Sequence, residues 1–160
     1  MRGLAAALAL CATQAQALSC VPADPVASYV KARDSEEVYV VVRGSLSGRP
    51  DLPAPDLSDN APESSLYTSH FQGYRIATNG FTVLFETRVE VTELCFAVWC
   101  AHVPDQDDAV MFLRQTETPA GWALIEGPCG GNVFSNPSDE MIKDLTRCAR
   151  GGPCEPEFRR

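Results

Sequence analysis

The cysteines are the residues whose number and spacing commit this chain to a definite chemistry. Of the seven, Cys11 sits in an apolar leader, leaving Cys20, Cys95, Cys100, Cys129, Cys148 and Cys154. An even set in a short exported chain reads as disulfides rather than as free thiols. Six cysteines admit many pairings. Proximity along the chain favours Cys95 with Cys100 and Cys148 with Cys154, which leaves Cys20 to reach Cys129. A thiolate metal site is the competing chemistry. No Cys-x-x-Cys pair occurs, and neither His70 nor His102 has ligand spacing to a cysteine pair, so no metal is expected.

Catalytic constellations are sparse. No serine lies in a Gly-x-Ser-x-Gly elbow, and the two histidines stand alone. A hydrolase or metal enzyme using His102 and nearby carboxylates is the weakest reading of the chain. Asp105, Asp107 and Asp108 lack the glycine and distal glutamate of a calcium loop, so they read as a solvated turn. Gly130-Gly131 is followed by neither a helix start nor a lysine, which disfavours phosphate binding. No catalytic residue and no cofactor is therefore assigned. The remaining candidates are for binding: Trp99 and Phe96, carried on a Cys95–Cys100 hairpin, and His102 just after it. The alternative for Trp99 is burial over one end of the sheet, because aromatic rings cover large areas in small cores.

The elements that must position these residues begin with the leader. Met1-Arg2-Gly3 gives one positive charge, Leu4 to Ala12 is apolar, and Ala15-Gln16-Ala17 offers small residues where a signal peptidase reads. Residues 1–17 are thus a signal peptide, and 18–160 a single domain, secreted or periplasmic. The apolar run is too short to span a bilayer, so no membrane span is expected. Cleavage after Ser19 is also compatible, with Cys20 as the first residue. The chain carries 13 basic and 21 acidic residues for a net charge of −8, and losing Arg2 moves it near −9. Such a surface disfavours nucleic acid and anionic membranes as partners.

Twelve prolines and eleven glycines mark many turns and short elements. Asp24-Pro25 predicts a short N-terminal helix through Val30. Val38 to Arg43, continued by Gly44 to Leu46, is a first strand, and Ser47 to Ser65 a long loop. Phe71 to Thr78 and Phe81 to Leu94 form a hairpin turning at Asn79-Gly80. Val83, Phe85, Val89 and Val91 share one face of the second strand, which is long enough to require a bulge. Ala109 to Arg114 and Trp122 to Glu126 form another hairpin. Asn136 is expected to cap a C-terminal helix whose Met141, Leu145 and Cys148 pack inward, with Gly151 as its stop.

Cys20 close to the first strand, the strand Val38 to Leu46, the pair Val110-Met111-Phe112-Leu113 and Trp122-Ala123-Leu124, and Cys129-Gly130 before the last helix together resemble the netrin-like domain shared with tissue inhibitors of metalloproteinases. The resemblance implies a mainly β fold, a five-stranded OB-type barrel with a short N-terminal and a C-terminal helix. Three functions follow, in falling order: a non-enzymatic, disulfide-stabilised interaction module that binds another exported or cell-envelope protein; a metalloprotease inhibitor; and the enzyme above. The inhibitor mode, as the resemblance implies it, uses the free amine and carbonyl of an N-terminal Cys20 to chelate zinc. The family inhibitors begin Cys-x-Cys, whereas Cys20 here precedes Val21-Pro22.

Overall fold

The computed structural model describes residues 19–52 and 64–157. The signal peptide and Pro53 to Glu63 of the expected loop lie outside the described residues. Among the described residues two helices and seven strands follow in chain order: α1 (Pro25–Arg33), β1 (Tyr39–Ser47), β2 (Ser64–Ala77), β3 (Gly80–Phe96), β4 (Trp99–Cys100), β5 (Gln106–Gln115), β6 (Trp122–Glu126), β7 (Val133–Ser135) and α2 (Asp139–Ala149).

Five strands close a ring. β1 pairs antiparallel with β2 and β5, β2 with β3, β3 runs parallel to β6, and β6 pairs antiparallel with β5. Closure gives β1 and β5 two buried faces, which explains their unbroken apolar runs. Val42, Met111 and Leu113 point into the ring with Phe71, Val89, Val91 and Leu124. Their neighbours Val41, Val110 and Phe112 point outward and pack with Leu145 of α2 and Tyr29 of α1 in a second core. Both helices therefore cover one side of the ring. The opposite outer face, formed by β2 and β3, leaves Leu66, Tyr74 and Leu84 exposed.

Local chemistry sets the boundaries. Asp24 caps α1, its Oδ1 accepting the amides of Val26 at 2.8 Å and Ala27 at 3.2 Å, with Pro25 in the first turn. On β3 the inward face carries Val83, Phe85, Val89 and Val91, with Thr82 the extra residue of a bulge at the Arg75/Ile76 register shift. Gly44 of β1 lies directly opposite Gly73 of β2, and a Cβ on either would overlap the other strand's backbone. This close approach lets the ring curve.

Three expectations are corrected. β2 starts at Ser64, where a loop was expected to run to Ser65 and the strand to begin at Phe71. Ser64-Ser65-Leu66-Tyr67-Thr68-Ser69 is polar enough to read as loop, but pairing to Val89 through Leu94 makes it strand, with Tyr67 and Ser69 turned inward. The hairpin turn is Thr78-Asn79, with the positive φ of 105° falling on Gly80 as the first residue of β3. The cap of α2 is Ser138, whose Oγ accepts the Met141 amide at 3.2 Å; Asn136 instead takes a left-handed φ of 50° in the turn before Pro137. Two strands beyond the expected five, β4 and β7, are short and lie outside the ring.

Three disulfides join Cys20 to Cys129, Cys95 to Cys100 and Cys148 to Cys154. Among the described residues no helix is long and apolar enough to cross a membrane.

Candidate functional site

The Cys95–Cys100 hairpin is the most conspicuous apolar projection. Cys95 pairs with Cys100 and Phe96 with Trp99, so Ala97-Val98 makes a two-residue turn whose strands are also joined covalently. Ala97 takes a φ of 52°, a left-handed conformation unfavourable for a residue with a Cβ. The bridge and pairing hold that strain in place. Phe96 is 66% exposed, Val98 53% and Trp99 46%. Trp99 is thus half exposed and outside the inner core, to which Tyr67 and Val103 belong.

The apolar surface continues down the sheet. Phe96 and Leu94 lie on the same outer face of β3, Trp99 stands opposite Phe96, and Leu66 of β2 is diagonal to Leu94. Exposed single hydrophobics are ordinary, but here several lie in one row that ends on a disulfide-pinned turn.

The hairpin stands on a buried charged network. Glu93, only 4% exposed, receives the Arg49 guanidinium on both oxygens at 3.2 Å. It also accepts the Val103 amide at 2.8 Å and the Tyr67 hydroxyl at 2.9 Å. The Arg49 guanidinium lies 5.7 Å from the Tyr67 ring centre, and its backbone N–H donates to Asp105 at 2.9 Å. Burial pushes the Glu93 carboxyl up, but Arg49, the Val103 amide and Tyr67 together outweigh it and hold the group below the usual carboxylate range. Burial, helped by Glu93, pushes the Tyr67 phenol up, so it remains a donor. The network fastens β2, β3, the start of the β1–β2 connection and the 101–105 segment beneath the hairpin.

Behind the hairpin lies a cavity of about 200 Å³. One wall is the connection from Cys100 to Gln106, and the other is Glu126 to Ser135, the segment that carries Cys129. His102 lines it, whereas His70 pairs with Glu86 at 3.1 Å on the outer face of β2 and β3. The acids after the hairpin are dispersed: Asp105 holds the Arg49 amide and Asp108 pairs with Arg43 at 2.7 Å. No group of three or more metal-ligating side chains occurs among the described residues.

No family model, curated protein or solved structure matches this chain. Its function is therefore read from its own geometry.

Sequence reasoning named Trp99, Phe96 and His102 but missed Glu93 and Glu126. A signal was present. Glu93 continues the inward series 85, 89 and 91, and Glu126 follows Trp122 and Leu124 at the same spacing, so both acids fall on inward positions.

Proposed function

We propose that this chain is an exported, non-enzymatic interaction module on a netrin-like, OB-type barrel, and that it grips a protein partner with the Cys95–Cys100 hairpin. The ring order β1-β2-β3-β6-β5, returning to β1 and with β3 parallel to β6, supports the barrel reading. The observation that carries the function is the exposure of Phe96, Val98 and Trp99 on a turn held by a disulfide. Fixing the turn before binding removes the ordering cost that a free loop would incur. The partner is another exported or cell-envelope protein with an apolar pocket. A second copy of this chain is disfavoured, since two surfaces of net charge −8 or beyond repel each other.

A photocrosslinking side chain at Val98, with one at Leu84 as control, tests this in the exporting cell. Adducts to a different protein are expected at Val98 and absent at Leu84. Trp99→Ala is expected to weaken capture by tenfold or more, while the urea midpoint stays close to that of the parent because the ring is half exposed. Equal adducts at both positions, adducts only between copies, or capture indifferent to Trp99→Ala would each reject the surface.

A second reading draws on Cys20, which is exposed and bridged to Cys129 beside the cavity. Metalloprotease inhibition of the kind the resemblance implies requires Cys20 to be the mature first residue. N-terminal sequencing decides it: Leu18 as first residue removes this reading.

A further inference from the structure

The cavity behind the hairpin contains an acid with no countercharge. Glu126 is 4% exposed. Its carboxylate accepts the Gly127 amide at 3.3 Å and the Asn132 amide at 3.1 and 3.4 Å. None of the ion pairs among the described residues involves it. The amides orient the group without neutralising it. His102, on the opposite wall, is the other titratable side chain lining the cavity.

Burial pushes the Glu126 carboxyl up to about 7, against the opposing pull of the Asn132, Gly127 and Val133 amides. Above that pH the site holds an ionised carboxylate that lines an open cleft without a countercharge, and shifted acids in clefts are where ligand sites are found. One carboxylate and one imidazole are a poor donor set for a resident metal. Val103, Pro104 and Val133 offer apolar wall next to the charge. A volume of about 200 Å³ holds on the order of six waters, enough for a short aliphatic stem with a charged end and too small for a nucleotide-sized ligand.

We propose that this cavity binds the ammonium end of a primary alkylamine, with the Glu126 carboxylate as counter-ion and the Val103, Pro104 and Val133 side chains around the methylene stem. The ammonium can come from a free diamine or from a lysine side chain of a protein. The site is independent of the hairpin reading, since Trp99 does not line it.

The test is NMR of the intact protein labelled at glutamate carboxyl carbons and backbone amides. The probes are 1,4-diaminobutane, the free source, and Nα-acetyl-lysine methylamide, the side-chain source. At pH 8 either amine is expected to move the Gly127 and Asn132 amides, and the tighter of the two names the source. Because only the ionised acid attracts the amine, affinity should fall about tenfold between pH 8 and pH 6, and amine at about ten times its high-pH Kd should lower the Glu126 midpoint by about one unit. His102→Gln should keep this pH dependence and Trp99→Ala should keep binding, whereas Glu126→Gln should abolish it. Amide shifts absent at roughly tens of millimolar amine, affinity equal at the two pH values, or undiminished binding by folded Glu126→Gln would overturn the proposal. If Glu126→Gln does not fold, the carboxyl midpoint of the parent protein with and without amine decides alone.

Discussion

The double variant Cys20→Ser, Cys129→Ser is expected to unfold with about 4 to 5 kcal/mol less free energy than the parent protein. The bridge joins residues 109 apart, the longest covalent loop in the chain, and constraining so long a loop removes the most entropy from the unfolded ensemble. The bridges Cys95–Cys100 and Cys148–Cys154 span 5 and 6 residues, so the same relation gives about 2 kcal/mol for each. Native contacts oppose a larger loss. The Ser28 hydroxyl donates to the Gly131 carbonyl at 2.6 Å, and Asp24 accepts the Glu157 amide at 2.7 Å, so α1 remains attached without its sulfur link. Urea melts of the three double variants check the ranking. A loss under about 1.5 kcal/mol for the long bridge, or one no larger than for a short bridge, would show that loop length does not set what the bridge contributes, as when the unfolded chain keeps its ends close without it.

Much of this architecture was legible because two-faced burial leaves a strong trace. Tyr39 to Val42 and Ala109 to Leu113 are apolar without alternation, as strands between two cores must be, and β3 alternates because its outer face meets solvent. Less legible was anything that depended on a partner strand. Ser64 to Ser69 has no β-branched aliphatic residue, and only its pairing with β3 makes it a strand. Either of two capping residues, Asn136 or Ser138, satisfies the composition of a helix start. Asn136 precedes Pro137 just as Asp24 precedes Pro25, so the proline does not choose; the backbone does, since Asn136 is left-handed and Ser138 takes the extended conformation from which its Oγ accepts the Met141 amide.

The site was half legible for a related reason. Aromatic residues flanking a short cysteine loop point to a presented turn, and Trp99 and Phe96 were named on that ground. The acids that support the turn were not. A glutamate at the end of an alternating strand reads as the strand leaving the core, because composition does not reveal that Arg49, Tyr67 and the Val103 amide converge on it. Buried acids are rare enough that an inward-spaced glutamate is better read as a question about its partners.

Arg49→Met gives the sharpest test of that network, with an expected loss of about 3 to 5 kcal/mol near pH 7.5. The substitution keeps an apolar stem over Tyr67 but removes the cation, leaving Glu93 ionised with its side chain 5% exposed. The remaining donors, Val103 and Tyr67, contribute hydrogen bonds without balancing the charge. The penalty should also depend on pH with a definite sign. In the parent protein the Glu93 carboxyl lies below its ordinary value, so its contribution is present above the unfolded carboxylate range and is lost as pH falls through the folded value. Without Arg49 the largest lowering influence is gone and burial dominates, which pushes the carboxyl up. The variant then gains stability on acidification as Glu93 takes a proton. The difference between variant and parent therefore shrinks from pH 7.5 to pH 5, and because Glu126 titrates in both proteins its effect cancels in that difference. Urea melts at the two pH values read it directly. A penalty below about 1 kcal/mol, or one unchanged by pH, would mean that water reaches Glu93 and that the hairpin stands on packing rather than on a desolvated ion pair.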